Sequence, residues 1–210
     1  MALHFPIDIY MRLLGLEKDC FSSWWAKLPE GSIMVVQPKI EGFAIGLRYK
    51  YGQLVDAYSR EDSEIIENIR NIHAIPLKID DSLKVEVELE GVLYSPSINS
   101  KISIEHLLSN SFSKIDNNTS LFFKAFQIFC SQSDEFSDLK QLQNWGFDVP
   151  ITLRTDDPRQ VKRWHSQWIN KELFSNLPTN GIVAKCNSSL TKNILGVSPS
   201  SPNWALALTN

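Results

Sequence analysis

QPKIEGFAIGLRYKYGQLVDAYSRED, residues 37–62, sets two runs rich in β-branched and aromatic side chains on either side of Tyr51-Gly52. A two-residue break between such runs predicts a β-hairpin. Just upstream, SIMVVQP from Ser32 predicts a further strand, and it delivers Lys39 and Glu41, two residues apart and followed by Gly42, to the end of an apolar run. This one stretch therefore points to an antiparallel sheet with a lysine and a carboxylate at its edge.

Outward from the hairpin, strand and helix signals interleave. SEIIENIRNI, residues 63–72, puts Ile65, Ile66, Ile69 and Ile72 on one helical face, and Ala74-Ile75-Pro76 ends it. Val85, Val87 and Leu89 alternate with Glu86, Glu88 and Glu90, which predicts a half-buried strand whose carboxylate face asks for cations or water. SLFFKAFQIF, residues 120–129, reads as a strand, and residues 136–145 as a helix closed by Gly146. Residues 157–176 place Val161, Trp164, Trp168 and Leu173 at helical spacing behind Pro158. GIVAKCN, residues 181–187, is a closing strand. Residues 7–28 are expected to be helical up to Pro29-Glu30-Gly31, and the Ser- and Asn-rich residues 97–120 a loop with a short helix at IEHLL. At least six strands and four helices make an α+β fold. No repeat, charge block or linker divides the chain, so one domain over residues 1–210 is expected, with a helical lead-in to about residue 30.

Composition narrows the function classes. Of 210 residues, 43% are hydrophobic and 21% charged, which excludes a disordered or fibrous chain. A formal net charge of −3 gives no footprint for tight non-specific nucleic-acid binding, although a local basic groove fits that balance. Cys20, Cys130 and Cys186 are odd in number and form no CxxC, so free thiols in a reducing compartment are expected. Asp8 and Arg12 interrupt what would have to be a signal core, and no run reaches the ~18 apolar residues of a membrane span. These features predict a cytoplasmic protein without membrane contact. GxGxxG, Walker, GxSxG, HExxH and EF-hand motifs are absent, and the four scattered histidines read as surface or core residues.

Lys39 is the residue with chemical promise. A lysine beside a second cation and partly desolvated loses its proton more readily and becomes a nucleophile. Lys185, the lysine of the closing strand, is the candidate second cation, and alternation points it away from Ala184. From spacing alone, two exposed strand lysines remain an equal account of the pattern.

The runs QPKIEGFAIGLRYKYGQLVDAYSRED, IRNIHAIPLKI, VELEGVLYSP, LQNWGFDVP, LPTNGIVAKCN and LGVSPSSPNWALAL, taken in order, resemble the adenylation domain of bacterial NAD-dependent DNA ligases from about Pro29 to Asn210. The resemblance implies the nucleotidyltransferase fold: two antiparallel sheets flanked by helices, with AMP in a groove between them. It implies that Lys39 attacks the α-phosphate and holds AMP through a phosphoramide bond, and that Gly42 lets the backbone approach the nucleotide. Arg60 matches an arginine near the ribose and the nick, Lys185 a lysine that contacts the α-phosphate, and Trp204 a tryptophan of the closing motif. Lys39 and Lys185 are then expected on adjacent strands with converging side chains.

The departures fall on the chemistry. The family's aspartate two residues after the nucleophile is Glu41, longer by a bond of about 1.5 Å. The glutamate of its RGE block falls at Val92, with Glu90 on the same strand face as a partial substitute. Its aspartate before the glycine of the phosphate-contacting strand is Asn180, and its last lysine falls at Thr209. Its arginine-rich DNA-gripping segment is replaced by residues 97–113, which contain no arginine. The nicotinamide-recognising subdomain, the oligonucleotide-binding barrel, the zinc module and the helix-hairpin-helix repeats are expected to be lacking.

The preferred expectation is a degenerate adenylation-like domain that serves as a binding or scaffold protein, retains a groove for AMP or ATP, and has room for a protein partner. The alternative is an active nucleotidyltransferase that forms lysyl-AMP at Lys39 and passes AMP to nucleic acid or protein. NAD is expected to be the poorer donor, nucleic-acid binding weak, and a divalent metal needed only if catalysis is retained. No residue is assigned as a metal ligand. An active enzyme needs an acid, Glu41 or Glu90, in the groove with Lys39.

Overall fold

A computed structural model of the chain describes residues 15–16, 20–59, 65–80, 85–96, 121–198 and 201–210. Arg60, the IEHLL segment and the arginine-free residues 97–113 lie outside the described residues. In chain order the elements are β1 (Gly15–Leu16), α1 (Cys20–Trp25), β2 (Met34–Ile40), β3 (Phe43–Lys50), β4 (Gln53–Ser59), α2 (Ile66–Ile69), β5 (Glu86–Tyr94), β6 (Phe122–Ile128), α3 (Glu135–Asn144), β7 (Leu153–Thr155), α4 (Pro158–Ile169), β8 (Thr179–Cys186), α5 (Ser189–Leu195) and β9 (Ala205–Leu208). They fall into two compact units, one of residues 1–40, 132–136 and 151–210, the other of residues 41–131 and 137–150.

The first unit holds a five-stranded sheet in the order β1-β9-β8-β2-β7. Met34 pairs with Cys186 and Val36 with Ala184, so the period-2 alternation of both strands sends these side chains to the same face. There they join Ile182, Leu206 and Leu208 against Phe21 and Trp24 of α1 and Val161 of α4. Cys186 is a buried free thiol within this core. The start of α4 follows from its sequence: the Asp157 carboxylate accepts from the Arg159 N–H at 2.9 Å, and Pro158 stands in the first turn. The helix stops at Ile169, short of the expected residue 176, because Lys171 turns into the left-handed region at φ 61°. Leu173, beyond the helix, still packs on the core.

The expected helix over residues 7–28 is corrected where it is described. Gly15-Leu16 is a strand running parallel to β9, with Gly15 opposite Ala207 and Leu16 opposite Leu208, and α1 begins only at Cys20. The edge of β9 offers backbone hydrogen bonds that the local spacing of apolar residues does not foretell.

The second unit is a four-stranded antiparallel sheet in the order β4-β3-β5-β6. Tyr51 and Gly52, at φ 50° and 75°, form the two-residue turn between β3 and β4, and positive φ at both positions suits the twist of the flanking strands. One face buries Ile45, Leu47, Tyr49, Leu89, Leu93 and Phe123 together with Ile69, and Ile65, Ile66 and Ile72 are buried with it as the helical spacing predicts. The opposite face carries Glu86 and Glu88, and Arg48 supplies the cation they ask for, at 3.2 and 2.7 Å. Two antiparallel-based sheets with flanking helices make this an α+β nucleotidyltransferase fold.

Candidate functional site

Lys39 and Lys185 are carried by β2 and β8, adjacent antiparallel strands of the first unit. Lys185 stands opposite Val35, so Val35, Gln37 and Lys39 share its face of the sheet, the face turned away from the Met34 and Ala184 core. The two lysines are offset by four residues of β2, about 13 Å along the strand. Each ammonium has its own partner. The half-buried Lys39 donates to the Asn180 side-chain oxygen at 2.7 Å, across the register shift that follows Pro38. Lys185, 3% exposed, donates to Glu135 at 2.7 Å.

Glu135 is the centre of this second cluster. Its other carboxylate oxygen accepts from Lys192 of α5, whose ammonium also lies 4.7 Å from the centre of the Trp204 ring. The Glu135 backbone N–H donates to the Asn187 carbonyl at 2.9 Å, and the N–H of Phe136 donates to the Asn187 side chain at 3.1 Å. The loop is thereby tied to the end of β8. Burial pushes the Glu135 carboxyl up, but Lys185 and Lys192 outweigh it and hold the group below the usual carboxylate range. Sequence reasoning missed Glu135 and Lys192. Glu135 is 50 residues from Lys185 in the chain, and no motif spacing connects them.

Trp204 is a wall of the core, 5% exposed, and its carbonyl accepts from the Cys186 N–H at 2.8 Å. Thr209, at the position of the family's last lysine, offers its carbonyl to His165 at 3.2 Å.

Glu41, Gly42 and Glu90 belong to the second unit. Glu41 is exposed between β2 and β3. Gly42 has a packing reason for being glycine, because a Cβ there would stand 2.3 Å from the Leu93 carbonyl oxygen and 2.7 Å from a Val92 methyl. Glu90 is 2% exposed, in register with Gly46 and Gln127, and it shares a face with Val92 as alternation requires. Tyr58, opposite Gly46, lies beside it, and burial together with the Glu88 and Glu90 carboxylates pushes its hydroxyl up. Among the described residues no group of three or more His, Cys, Asp or Glu is arranged to hold a metal ion. No helix among them is long and apolar enough to cross a membrane.

Solved ligases share this fold. The ATP-dependent DNA ligase from bacteriophage T7 in complex with ATP superposes with a TM-score of 0.56 at 10% identity, covering 96% of this chain and 68% of that one. An RNA ligase from Naegleria gruberi gives 0.55 at 14% identity, covering 98% and 57%. Sequence relatives include a DNA ligase of Prochlorococcus marinus, 29% identical over 83% of this chain and 31% of its own length. A DNA ligase of Mycoplasma genitalium is 28% identical over 82% of this chain and 29% of its own. The chain thus spans about a third of the length of the curated relatives it matches. The family model for the NAD-dependent DNA ligase adenylation domain matches residues 17–209, continuous through both lysine-bearing strands and the closing Trp204 strand, and the chain belongs to that family.

Proposed function

We propose that this chain is a nucleotide-binding adenylation domain with reduced catalytic equipment, taking an adenine nucleotide on the sheet face that carries Lys39 and Lys185. The observation that supports this most is the placement of those two lysines on one face of adjacent strands, away from the core. Two ammonium groups on a partly covered face attract a polyphosphate more strongly than they would in open water. The catalytic complement around them is thinner than the family pattern, with Asn180 in place of an aspartate and Thr209 in place of a lysine. Calorimetric titration with ATP tests the reading. Saturable binding is expected, and Lys39→Ala should weaken it by about 1.5–3 kcal/mol, the size of a charge-assisted contact. No saturable binding by the parent protein refutes it.

A second reading, self-adenylation, is favoured by the half-buried position of Lys39 and its bond to a neutral amide oxygen at 2.7 Å. An amide favours the charged ammonium less than a carboxylate does, so the proton is released more easily. Once that proton passes to water, the Lys39 Nζ forms a bond to the α-phosphorus while the bond to pyrophosphate breaks and pyrophosphate leaves. A divalent cation would arrive with the triphosphate as part of the substrate. Intact mass after incubation with ATP, or with NAD in a parallel arm, separates the readings: addition of one AMP, lost in Lys39→Ala, establishes the second. Binding without added mass establishes the first.

A further inference from the structure

We propose that Glu135 is a positioning residue that keeps the Lys185 ammonium charged and in place for an anionic ligand on this sheet face. The inference rests on the reading that Lys185 meets the nucleotide phosphates. Glu135 and Lys185 have side-chain exposures of 2% and 4% and stand 2.7 Å apart, so neither charge is dispersed by solvent. The carboxylate is set by its backbone: Glu135 and Phe136 both bond to Asn187, which follows β8, and Asp134 accepts from the Ser189 N–H at the start of α5 at 3.2 Å. Lys192 takes the second oxygen, so the cluster pairs two cations with one anion and retains positive charge. The charged groups around Lys185 in this unit are Glu135, Lys192, Asp134 beside Glu135, and Lys39 farther along β2, while its strand neighbours Val35 and Ala205 are apolar. A buried ammonium stripped of its counter-charge gives up its proton, and the face then loses the charge that would meet a phosphate.

The test measures ATP affinity at pH 7, 8 and 9 for the parent, Glu135→Gln, Glu135→Asp and Lys185→Met. Each variant is expressed as a ratio to the parent at the same pH, which cancels the titration of the nucleotide. Glu135→Gln should bind about 10-fold more weakly at pH 7, with the deficit widening toward pH 9. Glu135→Asp, which keeps the charge, should show a ratio that does not vary with pH. A constant ratio for the Gln variant would reduce Glu135 to a structural role, and tighter binding would make it a competitor of phosphate; either overturns the proposal. Unchanged affinity in folded Lys185→Met defeats instead the reading that Lys185 meets the nucleotide. Should the Gln variant fail to fold, nitrogen-15 spectra of the parent decide: a solvent-protected ammonium resonance, lost in Lys185→Arg and persisting to pH 9, is expected, and its absence overturns the proposal.

Discussion

Gly42→Ala sets two accounts of the same glycine against each other. Gly42 is not among the residues with positive φ, so alanine fits its backbone, and at an open position the change would stabilise the fold by about 0.4–1 kcal/mol. The position is not open. The added Cβ would lie 2.3 Å from the Leu93 carbonyl oxygen, where ordinary contacts begin at 3.4 Å, so about 1 Å of separation has to be found. Leu93 lies in β5, paired to β3 on one side and β6 on the other, and its carbonyl cannot swing aside as a side chain would. Overpacking of this kind costs about 1–3 kcal/mol. With a urea dependence of about 2–3 kcal/mol/M, the midpoint should fall by about 0.5–1 M. Urea unfolding followed by far-ultraviolet circular dichroism measures this. An unchanged or raised midpoint refutes the packing argument, and if ATP binding were lost at the same time, the glycine would belong to the nucleotide instead.

Arg48→Ala removes the cation shared by Asp56, Glu86 and Glu88, whose side chains are 29–43% exposed. With solvent screening the loss should be about 1–2 kcal/mol in low salt and smaller in 1 M salt, read from denaturation at both ionic strengths. The Glu135 carboxyl is held low by two lysines, so its contribution to stability is complete above the ordinary glutamate value of about 4.3 and is lost as the pH falls through the folded value. Thermal melting in acid should therefore drop less steeply for Glu135→Gln than for the parent, and identical acid limbs would refute this. With net charge −3 and no arginine in residues 97–113, nicked duplex DNA should bind weakly with a shallow salt slope; nanomolar affinity at physiological salt would contradict this.

Local information made much of the fold readable. The Tyr51-Gly52 turn, the Val87 and Leu89 alternation against glutamates and the Asp157-Pro158 helix start each depend on neighbours within a few residues, and each stands as expected. Gly15-Leu16 escaped because its strand partner lies near the end of the chain, and pairing with β9 overrides the helical spacing around it. The candidate site divides in the same way. Lys39 and Lys185 stood out through motif and strand alternation, whereas Glu135 acts through a fold-level contact that no short pattern encodes. The arginine at position 60 lies outside the described residues.

The ordering of strands in the first unit bears on how the chain is born. Met34, Val35 and Val36 of β2 are fully buried in the finished fold, yet their partners in β7 and β8 begin at Leu153 and Thr179. More than a hundred residues emerge from the ribosome before β2 meets either neighbour, roughly 5–25 s at common synthesis rates. The sheet of the second unit, built from β3 to β6, can close during that wait. Until then β2 is an apolar strand with both edges bare, the kind of segment that seeks other chains. Nascent chains stalled before residue 186 should accordingly be the form that engages holding chaperones, and slow translation across residues 41–150 should lower the soluble yield.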